Sequence, residues 1–202
     1  MPPRLAAALC FALVATPAAA GCEERSDVAS LTETLDRIDA AYATADSVAF
    51  SEAMKALGPQ LDCSSEILPR SLIARIHRAQ GLVAFTAQDS MRLSQAFAAA
   101  KSIDPDYLFP ETFIPPSHPL ARMYMETEPA PDTVPIAPPR EGFLLLDGEA
   151  VTVRPTQRAV VVQHILDRNQ VAFTRYLLPG DRIPVETRPI GRSSSRKRAR
   201  PF

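Results

Sequence analysis

The chain has 202 residues, of which 46% are hydrophobic, so it can bury the core of one ordinary domain or of two small ones. Twenty prolines, seven glycines and no tryptophan favour short elements separated by stiff connectors over one large sheet. Six of the 22 basic residues crowd the last fifteen positions, and without these and Arg4 the body has 15 basic against 23 acidic residues. An acidic body with a short basic tail excludes a nucleic-acid-binding surface.

Residues 1–20 have the pattern of a secretory signal peptide. Arg4 supplies the positive start, residues 5–14 form an apolar run, and the alanines at 18–20 give the small-x-small pattern that a signal peptidase cleaves. The run is too short for a membrane-spanning helix, which takes about 20 residues, and no later segment approaches that length. We therefore expect an exported bacterial protein, periplasmic or secreted, with no transmembrane segment after signal removal.

Cys22 follows the expected cleavage site and has two alternative fates. Residues 19–22 resemble a lipoprotein processing site, which would acylate Cys22 and anchor the protein to the outer membrane, although Ala19 replaces the usual leucine-like residue. Alternatively, Cys22 pairs with Cys63, because these two cysteines alone remain once Cys10 leaves with the signal peptide. Two cysteines in an oxidising compartment usually bond. The disulfide is the favoured prediction, since closing a loop of about forty residues contributes roughly 4 kcal/mol to a small helical module.

Four helices are predicted between residues 30 and 103, from apolar residues that recur every three or four positions. A fifth, short helix is predicted over residues 117–126, where it would cover the open end of the helical module. Cap residues and helix breakers give the boundaries. These are a capping box of Ser30 with Glu33, Asp46 as the second cap, Gly58-Pro59 as the second end, Pro69 as the third start, Asp89 as the fourth cap and Asp104-Pro105 as the fourth end.

Residues 74–107 resemble a tetratricopeptide (TPR) repeat, a helix–turn–helix unit of about 34 residues. Gly81, Phe97, Ala100 and Pro105 fall at the spacing of the family's glycine, second-helix aromatic, small residue and terminal proline. Ala84 and Leu93 stand where the family usually has a tyrosine and an alanine. Residues 31–61 are similar to a preceding, more degenerate helix pair of the same kind. The resemblance implies antiparallel helix pairs in which the small residues allow close approach, the phenylalanine fills the gap and the proline ends the helix.

A stack of helix pairs implies a concave surface for a protein or peptide partner, as in other repeat proteins. Arg75, Arg78 and Gln80, expected to be exposed on the inner helices, are the predicted binding residues.

In the C-terminal part of the chain the hydrophobic pattern changes from that of helices to that of β-strands. A proline-rich linker of polyproline type is predicted over residues 128–140, and strand-like runs follow at 143–146, 159–166 and 171–178. Residues 142–148 resemble the start of a PEGA-type or carboxypeptidase-regulatory-like β-module. The sequence thus predicts an α+β protein. Its parts are a signal peptide (1–20), a TPR-like module of antiparallel helix pairs (21–127), the linker (128–140), a small antiparallel β-module that leans on the helices (141–186) and a disordered basic tail (187–202).

The residues suited to catalysis do not form a pattern. No second metal ligand accompanies His77, His118 or His164 at a sequence spacing typical of metal sites, whereas a zinc site needs three or four convergent ligands. The serines are not flanked by glycines as in a nucleophile elbow, so nucleophilic catalysis has no support. The sequence has no glycine-rich phosphate-binding motif, so nucleotide binding has no support either. We predict histidines that are exposed or hydrogen-bonded internally, no metal, no cofactor and no enzymatic activity.

The leading hypothesis is therefore an exported scaffold or adaptor in the cell envelope. The alternative is a cell-wall or carbohydrate-binding protein that uses Phe143, Phe173 and Tyr176 of the β-module. The basic tail is either solvated or a contact to an anionic envelope surface, where each basic residue adds on the order of 1 kcal/mol.

Overall fold

The computed structural model describes residues 22, 25–129, 131–166 and 169–185. This part of the chain has helices followed by antiparallel strands, so the α+β prediction is confirmed. The predicted signal peptide and basic tail lie outside the described residues. The helices are α1 (Val28–Ala43), α2 (Ser47–Asp62), α3 (Arg70–Thr86), α4 (Ser90–Ile103) and α5 (Pro119–Glu126). The strands are β1 (Thr133–Pro135), β2 (Phe143–Leu146), β3 (Glu149–Ala150), β4 (Val153–Pro155), β5 (Val160–Ile165) and β6 (Val171–Leu177). Among the described residues, no helix has the length and apolar character needed to cross a membrane.

The first helix begins three residues earlier than predicted. Its N-cap is Asp27, whose Oδ1 accepts from the Ser30 backbone N–H at 2.8 Å, while the Ser30 hydroxyl accepts from the Asp27 N–H at 3.1 Å. The predicted box of Ser30 with Glu33 is therefore wrong, because Ser30 is the reciprocal partner of the cap. Glu66, from the α2–α3 connection, accepts the Val28 N–H at 2.8 Å and satisfies another free donor of this first turn.

The second helix does not end at Gly58-Pro59, as the sequence predicted; it continues to Asp62. Pro59 removes one N–H donor, but it lies in the last turn on an exposed face, where water can satisfy the freed carbonyl. The predicted caps Asp46 and Asp89 are confirmed: each carboxylate accepts a backbone N–H three residues later at 3.0 Å. The fourth helix ends before Asp104, as predicted.

The third and fourth helices pack closely around Gly81. A Cβ atom at Gly81 would lie 2.1 Å from a ring carbon of Phe97, so only glycine allows this approach. Phe97 is buried and makes an edge contact with Tyr124 of α5, with ring centroids 5.0 Å apart. Ala100 is also buried, and Pro105 follows the helix end. Gly81, Phe97 and Ala100 therefore lie where α3 and α4 pack together, and Pro105 lies two residues after the end of α4 at Ile103.

The strands form a four-stranded antiparallel sheet in the order β3-β2-β5-β6 and a separate β1–β4 pair. The three predicted strands correspond to β2, β5 and β6 within two residues at each end. β1 lies inside the predicted polyproline linker, where Thr133 pairs with Pro155 of β4, so part of this segment is a strand. The turn between β2 and β3 has positive φ at both Asp147 and Gly148, 51° and 80°, as a type I′ turn requires.

The sheet packs directly on the α2–α3 connection. The Gln163 side chain of β5 accepts the Leu68 N–H at 2.9 Å and donates to the Glu66 carbonyl oxygen at 2.9 Å. The same connection holds the N-terminal segment, because Cys22 and Cys63 form a disulfide with Cα atoms 5.5 Å apart. The pairing favoured from the sequence is consistent with this geometry. One short connection therefore joins the N-terminal segment, the helices and the sheet.

Candidate functional site

An open groove separates α2 from the C-terminal half of α3. Its volume is about 790 Å³, and its lining includes His118 at the start of α5. The groove has an apolar floor with polar groups along the rim. Its lining consists of Ala41, Tyr42, Ala45, Asp46, Ser47, Phe50, Ser51, Met54, Lys55, Gln80, Val83, Thr86 and His118.

The α2 wall follows from the sequence spacing of a helix. Asp46, Phe50 and Met54 recur at every fourth position and form one row, because residues four apart lie on the same helix face. Ser47, Ser51 and Lys55 form the adjacent row one position further on. Phe50 and Met54 of the first row supply the apolar floor, while Asp46 and the second row supply the polar rim. Tyr42 of α1 extends the floor, since its ring centroid lies 5.6 Å from that of Phe50.

The opposite wall combines α3 with the start of α5. Val83 continues the apolar floor, and Gln80 brings a side-chain amide to the rim. His118 caps α5, with Nδ1 accepting from the Leu120 N–H at 3.2 Å, and its ring packs against Phe85 at 5.6 Å. These contacts fix the His118 ring at the end of the groove.

Several polar side chains of the groove are unused within the fold. In the part of the chain that the structure describes, no hydrogen bond or ion pair is formed by the side chains of Ser47, Ser51, Lys55 or Gln80. The Asp46 carboxylate uses Oδ1 to cap α2. These groups are therefore free to bind a ligand that enters the groove.

All three predicted binding residues are half-buried and not fully exposed as expected. The Arg75 Nη2 atom lies 2.6 Å from both Asp36 Oδ1 and Asp39 Oδ2 of α1, and its side chain is 25% exposed. The Arg78 guanidinium lies 3.6 Å from the centroid of the Tyr107 ring, and its side chain is 12% exposed. Both arginines fasten α3 to its neighbours, so the expectation of exposure is wrong for them. Gln80 does line the groove.

A buried polar cluster on the other face of α3 was not identified from the sequence. His77 is fully buried; its Nε2 lies 2.9 Å from Asp147 Oδ1 and its Nδ1 lies 3.3 Å from the Tyr176 hydroxyl. Asp147 also accepts from the Val161 N–H at 2.8 Å and from Arg158 at 2.5 Å. The only sequence signal is that His77 lies four residues after the core residue Ile73, on the same helix face. His77 is thus a hydrogen-bonded core histidine, one of the two states predicted for it.

The charges in this cluster control the ionisation of Asp147. Burial alone would raise the pKa of the Asp147 carboxyl, but the hydrogen bonds and charges of His77 and Arg158 outweigh it and hold the pKa below 3.8. Burial raises the pKa of Tyr176, so its hydroxyl stays protonated. The order carboxylate, imidazole, hydroxyl is that of a catalytic relay. The imidazole between them has no exposed surface, so His77 itself cannot contact a substrate directly.

Within the described ranges, no group of three or more histidine, cysteine or acidic side chains converges as a metal site would. The groove, and not the buried cluster, is therefore the candidate functional site. Comparison of the chain with models of known families, with curated proteins and with solved structures found no match.

Proposed function

We propose that the protein is a non-enzymatic, exported adaptor of the cell envelope, whose TPR-like helix pairs bind a protein or peptide partner in the groove between α2 and α3. The observation that carries this proposal is the groove, with its apolar floor and its unpaired polar rim. Binding sites in proteins are typically concave, mostly apolar and roughly 300–1,000 Å³ in volume, with a few polar groups that orient the ligand.

A non-enzymatic role is supported by how the fold uses its ionisable groups. The hydrogen bonds of His77 and Asp147 join α3 to the sheet, and both side chains are buried. Arg75 and Arg78 pair with acidic residues of the same chain. The groove itself holds no pair of a nucleophile and a base within hydrogen-bond distance.

Export is supported by the signal-peptide pattern of residues 1–20 and by the proximity of Cys22 to Cys63. A disulfide is typical of proteins in oxidising compartments, which favours the periplasm or the extracellular space. A lipid anchor at Cys22 is the alternative, and it excludes the disulfide because both use the same sulfur atom.

The carbohydrate-binding alternative has less support. Of the three aromatic residues considered for it, Phe143 is 42% exposed, whereas Phe173 is partly buried and Tyr176 contacts His77. One exposed ring offers a sugar little surface for stacking.

The test is to fill the groove. Ser51→Trp places a large ring in it without removing an existing contact, and Ser94→Trp, on an exposed position of α4 outside the groove, is the matched control. We expect the capped, dye-labelled pentapeptide Gln-Thr-Phe-Thr-Gln to bind the wild type weakly, and Ser51→Trp to weaken binding about ten-fold, or ~1.4 kcal/mol. Equal binding by the two variants, measured by fluorescence anisotropy, would overturn the proposal.

A further inference from the structure

We infer that the groove selects an extended peptide segment in which a basic and an acidic side chain, four positions apart, flank an apolar one. This inference rests on the proposed function, because it takes the groove as the binding site. It adds the conformation and the charge pattern of the occupant.

The charge pattern follows from the two ends of the α2 wall. Asp46 and Lys55 are the acidic and the basic residue of the groove lining, and both are exposed. Asp46 Oδ1 caps α2, while no hydrogen bond engages Oδ2 in the described part of the chain. Lys55 likewise has no acidic partner there. An occupant with one basic and one acidic side chain would pair with both ends, whereas two like charges would pair with one end and be repelled by the other.

The length of the groove sets the spacing. Asp46 and Lys55 are nine residues, or two and a half turns, apart, which at 1.5 Å per residue is about 13–14 Å along the axis of α2. An extended chain rises about 3.3 Å per residue, so its first and fifth residues are about 13 Å apart. Side chains one, three and five of an extended segment point to the same side. Lys55 lies half a turn around α2 from Asp46, but its long side chain also lines the groove. The first and fifth side chains can therefore pair with Asp46 and Lys55 while the third enters the floor beside Phe50 and Tyr42.

The polar rim favours an extended occupant over a helical one. An extended segment has backbone N–H and C=O groups without internal partners, and these need hydrogen bonds when they are buried. Ser47, Ser51 and Gln80 offer hydroxyl and amide groups along the groove, and none of the three side chains is engaged within the described structure. A helix satisfies its own backbone and would gain no backbone hydrogen bonds from these groups.

The test compares four capped, dye-labelled pentapeptides of the form X-Thr-Phe-Thr-X. The end residues are Lys and Glu in the first peptide, two Lys in the second, two Glu in the third and two Gln in the fourth, which is the neutral reference. The proteins are the full mature chain and the variants Lys55→Glu and Asp46→Asn. Asparagine keeps an oxygen that can cap α2, so Asp46→Asn removes the charge without removing the cap.

We expect the Lys/Glu peptide to bind the wild type about three-fold more tightly than either like-charged peptide in low salt, as exposed ion pairs allow. In Lys55→Glu the order should reverse, with the two-Lys peptide binding most tightly. Asp46→Asn should bind the Lys/Glu and the two-Glu peptides equally. About 1 M salt should abolish these differences, because it screens charges beyond about 3 Å.

The outcomes separate the two proposals. If the neutral peptide binds and Ser51→Trp weakens it, but the four peptides bind equally, then the groove is a binding site and the charge selection is wrong. If Lys55→Glu leaves the order of the peptides unchanged, the charge selection is also wrong. If none of the four peptides binds, both proposals are contradicted.

Discussion

The two faces of α3 use polar residues in opposite ways. On the face toward the sheet, His77 has both ring nitrogens engaged, by Asp147 and by Tyr176, and no part of it is exposed. On the face toward α2, Gln80 has no hydrogen-bond partner in the described structure and borders an open groove. Gln80 lies three positions after His77, so the two side chains are neighbours on the helix surface, and Gln80 also lines a second pocket together with Tyr176.

This difference distinguishes a structural from a functional use of polar groups. A buried donor or acceptor without a partner costs about 1–3 kcal/mol, so the polar groups of the sheet face must all be satisfied inside the fold. Polar groups that border an open groove are satisfied by water at little cost, and a ligand can replace that water. We therefore expect substitutions on the sheet face to change stability, and substitutions on the groove face to change binding.

The largest effect is expected for Asp147→Asn. Asparagine tolerates the positive φ of this turn position, so the backbone is preserved, but Arg158 loses its negative partner. Removing one member of a buried ion pair costs about 3–5 kcal/mol. The matched control is Asp36→Asn, whose carboxylate is 64% exposed and shares Arg75 with Asp39; we expect a loss below about 1 kcal/mol. Urea unfolding measures both, and equal losses would show that the buried cluster has no special role.

The next largest loss of stability is expected when the Cys22–Cys63 disulfide at the end of α2 is removed. Replacing both Cys22 and Cys63 by serine opens the loop that the disulfide closes, and we expect a loss of about 2–4 kcal/mol. The Ser26 N–H still donates to the Cys63 carbonyl oxygen, so the N-terminal segment keeps part of its attachment. Unfolding of the wild type with and without a reductant gives the same comparison. A wild type that is insensitive to reductant, with acyl groups in its intact mass, would indicate the lipid anchor instead.

A smaller, pH-dependent effect distinguishes the buried carboxyl of Asp147 from the half-buried carboxyl of Asp39. Because the pKa of Asp147 is lowered, its ionised form stabilises the fold above the ordinary value of 3.8, and this contribution is lost as pH falls through the lowered pKa. Burial raises the pKa of Asp39 despite the nearby Arg75, so its contribution is present at low pH and is lost as pH rises through the raised pKa.

The measurement is the free energy of unfolding between about pH 2 and 6. On acidification, the stability advantage of the wild type over Asp147→Asn should shrink, and its stability relative to Asp39→Asn should rise. Parallel curves for the two variants would contradict these opposite shifts.

The smallest effect is expected on the groove face. Lys55→Gln removes an exposed side chain without a partner in the described structure, so the free energy of unfolding should change by less than about 0.5 kcal/mol. Binding of the Lys/Glu pentapeptide should nevertheless weaken. A loss of stability comparable to that of Asp147→Asn would show that Lys55 is part of the fold.

The sequence predicted what local rules determine and missed what depends on distant contacts. Asp46 and Asp89 were identifiable as caps because a cap bonds to a backbone donor three residues away. Ser30 was misassigned as the cap of α1 because Asp27, three residues earlier, also has a side chain that can cap a helix. The strand β1 was missed because it pairs with β4, which lies beyond the predicted linker.

The candidate site was predicted only in part. Gln80 was named, but Tyr42 and Phe50 enter the groove through the arrangement of the two helix hairpins, which spacing alone does not give. Likewise, His77 and Asp147 are 70 residues apart in sequence and meet only because the sheet packs on α3.

The most direct test of the contrast between the two faces is an NMR titration of the isotope-labelled protein with the Lys/Glu pentapeptide. We expect shifts in the backbone amide signals of residues 46–55 and 80–86, with little change at Asp147, Val161 and Tyr176. Shifts concentrated around the sheet, with the α2 signals unchanged, would contradict this expectation.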